Sequence, residues 1–218
     1  MPNTPGTLLI ADDESSIRES LSQVLSEIGY SVRTAEDGFS ALREIQSEVP
    51  ELLLSDLNMP GMSGFELLSV IRRRFPAIRT IAMSGSFSGN EVPSGVAADA
   101  YFQKGSSIAA LLRIMEALPQ LERNAHPPTC PDAPLWSHRN AHDFSPDACV
   151  TITCPECLRT FSKSLGTGGL KRKIDCIYCH CSIHYAIVQP ADRMPSTPFQ
   201  RKTAEPSAFT GSSPNFSY

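Results

Sequence analysis

Five short apolar runs alternating with helical stretches over residues 5–123 predict an α/β fold, a parallel sheet with helices on both faces, followed by a smaller module. Two further observations support the division. The charges split unevenly: residues 1–122 hold 9 Lys and Arg against 16 Asp and Glu, and residues 123–218 hold 10 against 7. Six of the seven cysteines fall after residue 148. A length of 218 residues suits one ordinary domain and a small one.

The elements follow in order. Residues 8–11, 31–35, 52–55, 80–83 and 100–103 are the five expected strands. After the first, Ile17, Leu21, Val24, Leu25 and Ile28 keep helical spacing, with Ser15 expected just before the helix and Gly29 just after it. Phe65, Leu68, Ile71 and Arg72, with Phe75 nearby, mark a second helix that Pro76 stops. The connection at 86–95 is loaded with Ser, Gly and a Pro, so any helix there is expected to be short or loose.

Residues 124–147 contain five prolines and read as a linker, in which Leu135 and Trp136 are expected to form a partly exposed kink, docking on a neighbour being the alternative. Residues 148–190 are the expected cysteine module, and 191–218, rich in Ser, Thr and Pro, the expected disordered tail. No stretch reaches the roughly 18 apolar residues of a membrane helix, and no basic-then-apolar leader opens the chain. The expectation is a soluble, cytoplasmic protein with no membrane partner, whose cysteines are metal ligands or free thiols.

The chemistry gathers at strand ends. Asp12 and Asp13 end the first strand, Asp56 the third, Ser84 the fourth and Lys104 the fifth. Open parallel sheets bind ligands outside the carboxyl ends of their strands, so these side chains are expected to converge. Singly, Asp12 and Asp13 read equally as helix-capping acids, Lys104 as a surface lysine and Ser84 as a turn residue. Clustered carboxylates repel one another, and a hard divalent cation such as Mg²⁺ relieves that repulsion.

The segments LIADDE at 9–14, DLNMPGMSGFELL at 56–68 and YFQK at 101–104 together resemble the receiver domains of two-component response regulators. The resemblance implies a flavodoxin-like doubly wound sheet of five strands. It implies that Asp56 is the phosphoacceptor, supplied by a histidine kinase, a phosphotransfer protein or a small phosphodonor. It makes Asp13 and Asp56 direct Mg²⁺ ligands, Asp12 a ligand through metal-bound water, and Asn58 a ligand through its backbone carbonyl. Lys104 is implied to stabilise charge on the transferring group, with Ser84 and Tyr101 as the switch pair. Family members usually carry Pro after the lysine; here the residue is Gly105.

Cys154 and Cys157 form one C-x₂-C pair and Cys176 and Cys179 another, with 18 residues between the pairs. That spacing predicts a structural Cys₄ zinc site in a β-rich zinc ribbon, with strands expected at 149–153 and 182–188 and a turn at Gly166, Gly168 and Gly169. So small a module buries little core, and the metal supplies folding free energy. Cys181 is expected to be a spare thiol or competitor, His180 and His184 surface or strand residues, Cys149 a strand residue and Cys130 a free thiol.

The resulting reading is a phospho-accepting response regulator, not an enzyme, with Mg²⁺ and Zn²⁺ and a zinc ribbon that contacts a downstream protein. The competing reading makes the ribbon a DNA- or RNA-binding output, since Lys171, Arg172 and Lys173 could touch phosphates; a solvated charged loop is the plainer account of them. A third, a Mg²⁺-dependent phosphohydrolase, uses similar parts.

Overall fold

The computed structural model describes residues 6–85, 97–118, 135–138, 149–164 and 171–188. The predicted strands appear as β1 (Thr7–Ala11), β2 (Ser31–Ala35), β3 (Leu52–Asp56), β4 (Arg79–Ser84) and β5 (Ala100–Gln103). They pair in parallel in the order β2-β1-β3-β4-β5. The helices are α1 (Ser15–Glu27), α2 (Gly38–Ser47), α3 (Gly64–Arg74) and α4 (Ile108–Ala117). This is the expected flavodoxin-like sheet. The expected loose helix at 86–95 lies outside the described residues, as do the turn glycines 166–169, Cys130 and the tail.

Strand alternation sorts the core into two layers. Leu8, Ile10, Leu54, Ile81 and Met83 join Leu25 of α1 and Leu111 and Met115 of α4 on one face. Leu9, Leu53 and Ala82 join Leu42 and Ile45 of α2 and Phe65, Leu68 and Ile71 of α3 on the other. The caps differ from expectation at α1, where Ser15 is already helical and the cap is Glu14, without a side-chain cap bond. Elsewhere Asp37 caps α2 with a capping box, Ser63 caps α3 and Ser107 caps α4.

The C-terminal part is built from β6 (Leu135–His138), β7 (Cys149–Thr153), β8 (Thr160–Ser164), β9 (Lys171–Asp175) and β10 (Ser182–Val188). β7 pairs antiparallel with β8; β10 pairs antiparallel with β9 and parallel with β6. Two expectations are corrected here. The expected kink at Leu135 and Trp136 is strand β6, with Leu135 buried, because β10 supplies a ladder and α3 an apolar wall. The expected charged loop at Lys171–Lys173 is part of strand β9, because β10 supplies an antiparallel ladder for its backbone.

These strands are not held at a distance from the sheet. Leu135, Val150, Ile152, Phe161, Ile183 and Tyr185 belong to the same core cluster as Phe65, Leu67, Leu68 and Ile71 of α3. Every residue from Gly64 to Ile71 is buried, including the polar Glu66 and Ser69. α3 is therefore covered on both sides, by the receiver-type sheet on one and the cysteine-bearing strands on the other. Each aliphatic side chain so buried contributes roughly 1.5–3 kcal/mol.

Candidate functional site

The strand ends meet as the sequence predicts. Lys104 Nζ stands 2.9 Å from Asp12 Oδ2, 3.2 Å from Asp56 Oδ2 and 3.7 Å from Glu14 Oε1. Asp12 and Asp56 are buried while Asp13 faces solvent, and carboxylate oxygens of the three lie within 4.8 Å of one another. An all-oxygen set of this kind suits a hard divalent cation. Asp12 also accepts the N–H of Glu14 at 3.0 Å, an Asx-turn contact just ahead of α1. Glu14 itself was not among the expected site residues; its place beside the Asp pair was the available signal.

Burial raises the Asp56 pKa above the ordinary carboxylate value; Lys104 opposes this, the Asp12 charge adds to it, and an N–H from Asn58 lowers it. Burial works against the Lys104 ammonium as well. The hydrogen bond to Asp12 and the charges of Asp56 and Asp12 outweigh it, so the net shift is upward. The lysine stays cationic among anions.

Ser84 is fully buried at the end of β4, next to β5, and its carbonyl accepts both the Lys104 N–H at 2.9 Å and the Tyr101 hydroxyl at 3.2 Å. Tyr101, half-buried, thus reports on the backbone of the serine at the pocket. Gly105 follows with φ 87°, a left-handed turn that glycine adopts without strain. Beside it an open groove of about 320 Å³ runs between Lys104, Ser106 and Ile108 and the Ser16, Ile17 and Ser20 side of α1.

The family model for the response regulator receiver domain matches residues 8–116. The chain belongs to the response regulator receiver family. It is 33% identical over 132 residues to the response regulator MprA of a Mycobacterium species (strain KMS), covering 60% of this chain and 56% of MprA. It is 40% identical over 79 residues to the DNA-binding transcriptional regulator NtrC of Escherichia coli K12, covering 36% of this chain and 17% of NtrC. The chain thus spans about half the length of MprA and about a sixth of NtrC. Among solved structures, NtrX from Brucella abortus in complex with ADP superposes with a TM-score of 0.50 at 29% identity, over 56% of this chain and 29% of that one. Receiver domains hold Mg²⁺ at an acidic pocket, here Asp12, Asp13 and Asp56. Among the described residues no helix is long and apolar enough to cross a membrane.

Away from this receiver pocket, Cys154, Cys157, Cys176 and Cys179 come together, one sulfur from each lying within 4.8 Å of the others. The Cys154–Cys179 and Cys157–Cys176 sulfur separations are 3.6 and 3.7 Å. A tetrahedral centre with metal–sulfur bonds of about 2.3 Å has edges of about 3.8 Å, so the four thiols fit one. The two pairs fold alike: Leu158 N–H donates to the Cys154 carbonyl and His180 N–H to the Cys176 carbonyl, at 2.8 and 3.0 Å. Leu158 and His180 take left-handed φ values of 57° and 60°.

That repeated strain at non-glycine residues was missed in the sequence, where only the residue following each second cysteine signalled it. The Arg159 backbone N–H reaches Cys157 and the Cys181 backbone N–H reaches Cys179; at the exposed Cys179 the Cys181 N–H is the largest influence bringing the thiol down to about 6. Cys181 Sγ stands 3.3 Å from Cys154 Sγ, a distance that suits the competitor, rather than the spare thiol, of the two roles expected for it. Cys149 is exposed. Neither His180 nor His184 belongs to the metal-competent cluster.

The other unforeseen group is Glu66. It lies within α3, 3% exposed, and accepts the N–H of Thr153 at 2.6 Å. Burial raises its pKa to about 7 against the lowering effect of Thr153. Ser69, one turn on, accepts the Trp136 N–H at 3.2 Å, and Arg73 pairs with Glu156 at 3.7 Å. Glu66, Ser69 and Arg73 form an i, i+3, i+7 stripe, the spacing of one helix face.

Proposed function

We propose that this response regulator accepts a phosphoryl group on Asp56 and signals through its cysteine-bearing strands, which form a structural zinc ribbon that contacts a downstream protein. The division that goes with this reading is a receiver at 5–123, a connecting stretch at 124–147 and a ribbon at 148–190. The observation that carries it is Lys104, held between the buried Asp12 and Asp56 at 2.9 and 3.2 Å. An Asp56 oxygen attacks phosphorus, the bond to the donor's leaving group breaks, and the donor leaves with the electron pair. Mg²⁺, when bound by Asp13, Asp56 and the Asn58 carbonyl and reached through water by Asp12, supplies charge neutralisation on the phosphoryl oxygens. Lys104 holds a further positive charge at that position, Ser84 moves its hydroxyl to the phosphate, and Tyr101 turns inward as that hydroxyl moves, shifting the receiver surface.

Acetyl phosphate with Mg²⁺ is expected to add one acid-labile phosphoryl group by intact mass, and Asp56→Asn to prevent it. Absence of the adduct with both acetyl phosphate and a cognate kinase would remove the phosphoacceptor role. Multiple-turnover hydrolysis of phosphate esters would instead favour a phosphohydrolase. For the ribbon, one zinc per chain is expected by metal analysis.

One feature favours nucleic acid as the ribbon's partner: Arg159 stacks over the exposed Tyr178 ring at 5.3 Å from its centroid, and both face solvent. The relative NtrC is named as DNA-binding, over a length this chain mostly does not share. Salt-dependent nucleic-acid binding lost on Arg159→Ala/Tyr178→Ala would replace the protein-contact reading.

A further inference from the structure

Resting on the phosphoacceptor and metal sites proposed above, we infer that α3 is the receiver's output surface and that the cysteine module of the same chain is its partner. Phosphorylation at Asp56 and metal at the four thiols then alter each other's affinity.

The helix is tied to both sites. At its first residue, Gly64 N–H donates to the Leu57 carbonyl at 3.1 Å. A Cβ at Gly64 would run into the Asp56 carbonyl oxygen, so the helix start rests directly on the backbone of the phosphoacceptor. Less than one turn later, Glu66 accepts the Thr153 N–H, and Thr153 immediately precedes the fully buried ligand Cys154. Arg73 reaches Glu156, which lies between Cys154 and Cys157. From Asp56 to Cys154 the path therefore consists of one close backbone contact, part of a helical turn, one buried hydrogen bond and one peptide unit.

The intervening helix is closed in from both sides from Gly64 to Ile71. A shift at its N-terminus therefore has to be taken up by packed side chains, and packed interfaces respond by changing between discrete arrangements. Docked and undocked positions of the cysteine module are those arrangements. Any ligand that prefers one of them changes the affinity for the other ligand by the same factor.

The test uses the full chain and two probes, zinc and Mg²⁺-beryllofluoride, a mimic of the phosphoryl group. Zinc affinity is measured by equilibrium competition with a chromogenic chelator, with and without Mg²⁺-beryllofluoride. Beryllofluoride affinity is measured on zinc-loaded and zinc-stripped chain. A shared change of roughly fivefold or more in both directions is expected. Glu66→Arg, which touches neither site, is expected to keep both ligands and bring the factor below twofold; Ser69→Arg serves where that variant does not fold. A factor below twofold in the unaltered chain, with both ligands binding, overturns the inference and leaves the two sites standing. Failure of the unaltered chain to bind zinc or beryllofluoride overturns the corresponding site and the inference with it.

Discussion

Replacing Glu66 by Gln isolates the contribution of one carboxyl to the contact between α3 and the cysteine-bearing strands. Burial raises the Glu66 pKa from the ordinary 4.5 to about 7. A carboxyl whose folded pKa is raised costs nothing below the unfolded pKa, where it is neutral in both states. The cost then grows as pH rises from 4.5 to about 7 and is constant above. A difference of 2.5 units at 1.36 kcal/mol each corresponds to about 3 kcal/mol at full ionisation. Gln keeps the acceptor for the Thr153 N–H and carries no charge. Glu66→Gln is therefore expected to match the unaltered protein near pH 5 to within about 1 kcal/mol and to exceed it by about 3 kcal/mol at pH 8. Urea unfolding of both proteins at matched zinc from pH 5 to 8 measures this, and the difference between them cancels the titration of the thiols. A difference independent of pH, or a Gln variant weaker at pH 8, would refute the reasoning.

Three further substitutions follow from single contacts. Gly64→Ala places a Cβ against the Asp56 carbonyl oxygen, which the sheet holds, and is expected to cost about 3 kcal/mol or more by denaturant unfolding. His180→Gly relieves a left-handed φ at an exposed side chain; after the added freedom of the unfolded chain, a net gain of about 0.5–1 kcal/mol is expected, read as a higher melting temperature of the zinc-loaded protein. Cys176→Ser removes a buried ligand and is expected to abolish stoichiometric zinc and to raise hydrogen exchange in β7 to β10 and along α3.

The sheet was legible because its strands are short apolar runs closed by charged residues of the candidate site: LLIA before Asp12, LLLS before Asp56, AYFQ before Lys104. The cysteine spacing was legible for the same reason, since chemistry and position coincide. The contact between the two parts was not. Glu66, Ser69 and Arg73 are polar, and a polar stripe on a helix reads as the face turned to water. Here it is covered, and its polarity is used to satisfy backbone N–H groups of Thr153 and Trp136. β6 was hidden because LWSH sits among prolines and pairs only with β10, some 50 residues away. The left-handed residues Leu158 and His180 were hidden because neither is glycine.

Strand β6 has a consequence for how such a chain can be taken apart and recombined. In this protein the segment between the receiver and the cysteine pairs contributes a strand to the sheet on one side and a hydrogen bond to Ser69 on the other. A fragment ending at residue 123 lacks β6 to β10, so the apolar side chains of α3 that they cover are turned to water. Grafting this receiver elsewhere therefore requires resurfacing α3 first.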